Sequence, residues 1–110
     1  MKVYISGKIS GLHYNEAAFN FSINENILNA MGHHSVNPMS RKYFKNRMGK
    51  LPWLVHMILD IILLLQCDAI FLQDNWTDSR GAKVEYFISK MFRMKVLEEC
   101  ELWHQYLENQ

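Results

Sequence analysis

The stretch that most constrains the fold runs from Ala69 to Met91. Ala69-Ile70-Phe71-Leu72 is a short apolar run that reads as a buried strand. Asn75-Trp76-Thr77-Asp78-Ser79-Arg80-Gly81-Ala82-Lys83-Val84-Glu85 follows, and Val84, Phe87, Ile88 and Met91 recur at helical spacing. The stretch is a strand-to-helix turn. Ser79 suits the N-cap, and Gly81 and Ala82 keep the first turn small. A helix start offers free N–H groups and partial positive charge, so it suits a phosphate or carboxylate. Glu85 lies one turn in, beside the apolar face, where a carboxylate reaches over the strand ends. Open α/β sheets bind their ligands at that edge.

The rest of the chain repeats the alternation. Lys2 to Ser6 reads as a strand that opens into Gly7-Lys8-Ile9-Ser10-Gly11. Such a loop is either a plain tight turn or a place where backbone approaches a ligand. It is neither a P-loop nor a dinucleotide fingerprint. Asn15 to Met31 reads as a helix with an inward stripe of Phe19, Ile23, Ile27, Leu28 and Met31, capped by Gly32. Val36 marks a second strand, which Asn37-Pro38 ends. Lys95-Val96-Leu97 reads as a last strand. Glu98 to Asn109 reads as a helix with Leu102, Trp103, Tyr106 and Leu107 inward. The order predicts an α/β protein: a flavodoxin-like (Rossmann-like) three-layer sandwich around a parallel sheet of four to five strands.

Two segments are ambiguous. Met39 to Lys50 carries Arg41, Lys42, Lys45, Arg47 and Lys50 and no acid. It reads either as a solvated connection or as a lid that attracts a phosphorylated ligand. Trp53 to Gln66 is a helix apolar nearly all round, expected to be sandwiched within the fold or in a dimer interface. Asp60 interrupts it. Desolvation there favours the protonated carboxyl, which suits a general acid. The other reading is a surface position on the polar stripe, with His56 one turn earlier as partner.

The 110 residues are expected to form one domain, 1–110. Net charge is +1, so no global field argues for a nucleic-acid polymer or an anionic membrane. The most apolar stretch, Leu51 to Leu65, is too short to span a bilayer and contains Pro52, His56 and Asp60. Cys67 and Cys100 form no CxxC, and Met1 to Ile5 makes no signal peptide, so free thiols in a reducing cytoplasm are expected. No His/Cys/Asp cluster has metal-ligand spacing, and Ser79 lacks a nucleophile elbow. No metal or cofactor is expected. What remains is a carboxylate pair, Asp60 and Glu85, with two anion-friendly turns. Paired carboxylates can cleave a glycosidic bond.

At these residues the sequence resembles the nucleoside 2-deoxyribosyltransferase superfamily, in particular its small phage and bacterial branch. The match includes Val3-Tyr4-Ile5-Ser6-Gly7-Lys8-Ile9-Ser10-Gly11, Gly32-His33, Val36-Asn37-Pro38, Asp60, Cys67-Asp68-Ala69-Ile70 and Trp76 through Glu85. The resemblance implies that Glu85 is a nucleophile forming a glycosyl-enzyme intermediate and that Asp60 assists at the base or sugar. It implies substrate contacts from Ser6, Gly7, Lys8, Ile9, Gly11, Trp76, Ser79 and Gly81. Ser79 stands where hydrolases of nucleoside 5′-monophosphates carry a phosphate-binding serine and transferases of free nucleosides an acid. The chain departs from the family pattern at Leu12-His13-Tyr14-Asn15 and at Leu59. The implied activity is cleavage or transfer at the N-glycosidic bond of a nucleoside 5′-monophosphate, by a homodimer or larger assembly. Two alternatives stand beside it: a nucleotide-binding module that senses or sequesters without turnover, and a structural homo-oligomer.

Overall fold

A computed structural model describes residues 1–40 and 53–109, with the backbone alone at Trp53. The basic segment from Arg41 to Lys50, read above as a connection or a lid, lies outside the described residues.

Among the described residues, four strands form one sheet: β1 (Lys2–Ser6), β2 (His34–Val36), β3 (Ala69–Leu72) and β4 (Lys95–Glu98). All pairings are parallel, in the order β2-β1-β3-β4. Among the described residues, four helices alternate with them: α1 (Tyr14–Ala30), α2 (Trp53–Leu65), α3 (Arg80–Met91) and α4 (Glu99–Glu108). A single 3-10 turn, Trp76–Asp78, precedes α3. This is a small Rossmann- or flavodoxin-like architecture, as the alternation predicts.

Strand alternation divides the core. Val3 and Ile5 face a cluster with Phe21 and Leu28 of α1, Phe71 of β3 and Leu102 of α4. Tyr4 faces the other side, with Leu64 of α2, Ile70 and Leu72. The apolar run of β3 is buried on both faces, as a central parallel strand requires. The chain leaves β1 in one direction for β2, whereas β3 lies on its other side. The ends of β1 and β3 therefore flank the topological switch point, where such sheets open a crevice.

Helix ends follow local chemistry. Gly32, at φ +87°, closes α1. The N–H of His33 donates to Leu28 O (3.0 Å) and that of Gly32 to Asn29 O (3.1 Å), the paired bonds of a Schellman cap. In the turn after β2, Asn37 Nδ2 donates to Glu25 Oε2 (2.7 Å) and Asn37 Oδ1 accepts from the Met39 N–H (2.8 Å).

Several expected faces turn out differently. Phe19 is 63% exposed, because the inward face of α1 is centred on Ala17, Phe21, Asn24 and Leu28. Phe21, two residues on, holds the core position instead; Ile23 and Met31 only flank it. On α3 the inward residues are Ala82, Glu85 and Ser89, while Phe87 and Met91 are exposed. Short side chains let α3 approach the sheet, and the bulky ones point away. Leu107 of α4 is also exposed, with Leu102 inward. Within one chain α2 is not sandwiched: Met57, Asp60 and Leu64 face in, and Leu54, Ile58, Ile62 and Leu65 face out.

Candidate active site

The end of β1, the turns after β1 and β2, the start of α3 and one face of α2 enclose a cleft of about 590 Å³. Its polar lining includes His56 and Asp60 from α2, and Ser79, Arg80 and Glu85 from α3 and its cap. The facing wall is apolar, with Ile9, Leu12, Phe21 and Met39.

Glu85 is the anchored group. Its carboxylate is 5% exposed and accepts hydrogen bonds from two β1 hydroxyls. Tyr4 Oη donates to Oε2 at 2.5 Å, and Ser6 Oγ donates to Oε1 at 2.8 Å. Tyr4 and Ser6 are two residues apart on a strand, so both side chains leave the same face of the sheet. That face is the one α3 covers. Two O–H donors aimed at a carboxylate favour its ionised form, and the start of α3 one turn away acts in the same direction. The arrangement holds the carboxyl group at the cleft in one orientation.

Ser79 is the N-cap of α3. Its backbone is extended (φ −117°, ψ 119°), and its Oγ accepts from the Ala82 N–H at 3.1 Å. Gly81 suits the close packing here. A Cβ there would lie 3.1 Å from the Met57 sulfur, so glycine lets the first turn of α3 rest on α2. Gly7 has a similar role at the end of β1. A Cβ on it would come within 2.8 Å of the Gln73 amide group, which is buried behind the loop. The Gln73 N–H extends the β3 ladder to Ser6 O at 2.9 Å, and the Lys8 N–H donates to Asn75 Oδ1 at 3.0 Å. The glycine loop is thus tied to the turn that precedes α3.

Asp60 is 8% exposed and lines the cleft, so it is an inward carboxyl and not a residue on a solvated stripe. Of the residues expected at a site, the structure gathers Asp60, Glu85, Gly7, Ile9, Ser79 and Gly81 around the cleft. Ser6 lies behind Glu85. Lys8, Gly11 and Trp76 lie outside the lining; Trp76 instead packs its ring against Tyr86, centroids 4.8 Å apart.

Tyr4 and His56 were not singled out as site residues by sequence reasoning. The signal for Tyr4 was its two-residue spacing from Ser6. For His56 it was the four-residue spacing from Asp60, which puts both on one helical face. Among the described residues, no group of three His, Cys, Asp or Glu side chains could hold a metal. Nor is any described helix long and apolar enough to cross a membrane.

A four-stranded parallel sheet with helices on both faces, a cleft at its switch point and a tethered carboxylate in that cleft defines a small Rossmann-like α/β protein with a candidate ligand site. The chain belongs to the family described as Domain of unknown function (DUF4406), whose model matches residues 1–98. That span takes in every element lining the cleft. No curated protein matches the sequence significantly.

Proposed function

We propose that the protein cleaves, or transfers from, the N-glycosidic bond of a nucleoside 5′-monophosphate, with Glu85 as nucleophile. The observation that carries this reading is the buried Glu85 carboxylate, held by Tyr4 and Ser6 at a cleft that also contains Asp60 and the capped start of α3. The resemblance of the Trp76–Glu85 block and of the first glycine loop to nucleoside 2-deoxyribosyltransferases supports it.

The chemistry divides between the two carboxyl groups. An oxygen of Glu85 attacks the anomeric carbon, and the carbon–nitrogen bond breaks with its electron pair leaving on the base. Asp60, protonated, donates to the departing base. The product is a sugar ester of Glu85. Water then attacks the same carbon, Asp60 takes a proton from that water, and the Glu85–sugar bond breaks. An acceptor base in place of water gives transfer instead of hydrolysis. The phosphate sits at Ser79 and the first turn of α3, where a neutral hydroxyl avoids the repulsion an acid would impose.

The test is incubation of the chain with a panel of nucleoside 5′-monophosphates, ribose and deoxyribose, with free base followed by chromatography. Base release from at least one member, lost in Glu85→Gln with binding retained, is the expected result. A sugar-phosphate adduct on the peptide containing Glu85 identifies the nucleophile. Full base release by Glu85→Gln refutes the assignment. Binding without release from any member replaces the enzyme with a nucleotide-binding module.

A further inference from the structure

We propose that His56 is a phosphate-recognition residue of this cleft, its Nδ1–H donating to the 5′-phosphate of the bound ligand. The inference rests on the monophosphate reading above and adds a residue to it. His56 lines the cleft, yet its Nδ1 is buried and has no hydrogen-bond partner among the described residues. Buried polar atoms in native proteins are bonded in the great majority, so an orphan nitrogen in a cleft wall points to a missing ligand atom. A phosphate oxygen satisfies it once the ring turns Nδ1 to the cleft with the ring proton on that nitrogen.

Helix geometry selects the phosphate rather than the base or sugar. Each of α2 and α3 returns from one parallel strand to the next, so the two helices run in the same direction. Their contact is fixed by Met57, whose sulfur lies 3.1 Å from the position a Gly81 Cβ would take, with Ser79 Oγ 4.0 Å from that position. The turn carrying His56 therefore stands level with the turn carrying Ser79. Asp60 lies three residues beyond Met57, and Glu85 four beyond Gly81. At 1.5 Å rise per residue both carboxyls sit roughly 5–6 Å deeper. The upper level holds His56 and the helix start, and the lower level holds the two carboxyls. A ligand with its anomeric carbon at Glu85 and its phosphate at Ser79 brings that phosphate to His56.

The test compares full-length wild type with His56→Ala, His56→Asn and His56→Gln. Each is titrated calorimetrically with the tightest-binding monophosphate of the panel, the matching nucleoside and inorganic phosphate, with circular dichroism as the folding control. An asparagine amide reaches about as far as Nδ1, and a glutamine amide about as far as Nε2. His56→Ala is expected to weaken monophosphate and inorganic phosphate roughly tenfold or more, the scale of a hydrogen bond to a charged group. The nucleoside should change less than about twofold on the same scale. Asparagine should restore most of the loss and glutamine should not. If the alanine variant does not fold, the asparagine–glutamine contrast decides alone. Equal loss for nucleoside and monophosphate, no loss, or rescue by glutamine instead of asparagine overturns the proposal. So does a wild type that binds neither monophosphate nor inorganic phosphate. Monophosphate binding with the expected His56 dependence but without base release leaves this inference standing and removes only the catalytic one.

Discussion

Tyr4 Oη donates to Glu85 Oε2 at 2.5 Å, across 81 positions of sequence. The contact joins β1 to α3 and sets the direction of the buried carboxyl group that lines the cleft. Tyr4 itself is 1% exposed and sits in the core with Ile70 and Leu72. Its ring is structural and its hydroxyl serves the site.

Removing that hydroxyl tests the division. Tyr4→Phe keeps the ring in place and leaves Oε2 without this donor. If Glu85 is the nucleophile proposed above, base release should fall about tenfold or more in kcat with a smaller change in KM, because the loss falls on that carboxylate and not on ligand binding. Thermal unfolding should show a loss of about 1–2 kcal/mol, the scale for a buried hydrogen bond broken on one side. A purely structural Tyr4 would lower stability and leave kcat per folded molecule unchanged.

Ser79 combines two roles that a substitution can separate. Ser79→Ala removes the acceptor for the Ala82 N–H and should destabilise the fold by about 1 kcal/mol. Ser79→Asp keeps a good cap and should preserve the melting temperature. If phosphate binds at this turn, Ser79→Asp should nevertheless abolish monophosphate binding by like-charge repulsion. Monophosphate titration of a folded Ser79→Asp chain checks this directly.

Gly7 and Gln73 should prove coupled. Gly7→Ala drives a methyl group into a buried amide 2.8 Å away, and the expected destabilisation is roughly 1–3 kcal/mol, as for other overpacked sites. Gln73→Ala empties that space. The double variant should therefore be more stable than the sum of the two single effects implies. Urea unfolding of the four proteins measures the coupling energy, and simple additivity would show that Gly7 yields elsewhere.

His33, just past the Gly32 cap, should give the fold a pH dependence. Burial above all, then the N-terminal amine and Lys95, hold its imidazole below the ordinary 6.5. The folded chain therefore favours neutral His33, and the unfolded chain binds the proton more readily. The resulting stability is complete above about pH 6.5 and is lost as pH falls from there through the lowered folded value. Melting temperatures of His33→Asn should decline less across that acid range than those of the wild type. Parallel profiles would assign the acid sensitivity to other groups.

The local elements were legible because their causes are local. Alternating apolar strands and periodic helices, Gly32 after α1 and Ser79 before α3 each carry their signal within a few residues. The strand-to-helix turn at Asn75–Glu85 and the parallel α/β class followed from them. Even the inward face of Tyr4 and Ser6 was implicit in a two-residue spacing. What the sequence could not decide is which face of each helix meets the sheet. Hydrophobicity pointed to Phe19 and Phe87, but Phe21 and the Ala82–Glu85–Ser89 face turn inward; of the expected α4 stripe Leu102 is buried and Leu107 is exposed. The status of Asp60 was open for the same reason, since either face of an apolar helix is a plausible inside until its neighbours are in place. Only tertiary structure brought Tyr4 and Ser6 to Glu85 and put His56 and Ser79 on one cleft. Those relationships depend on strand order and on the Gly81–Met57 contact, which join residues far apart in the chain.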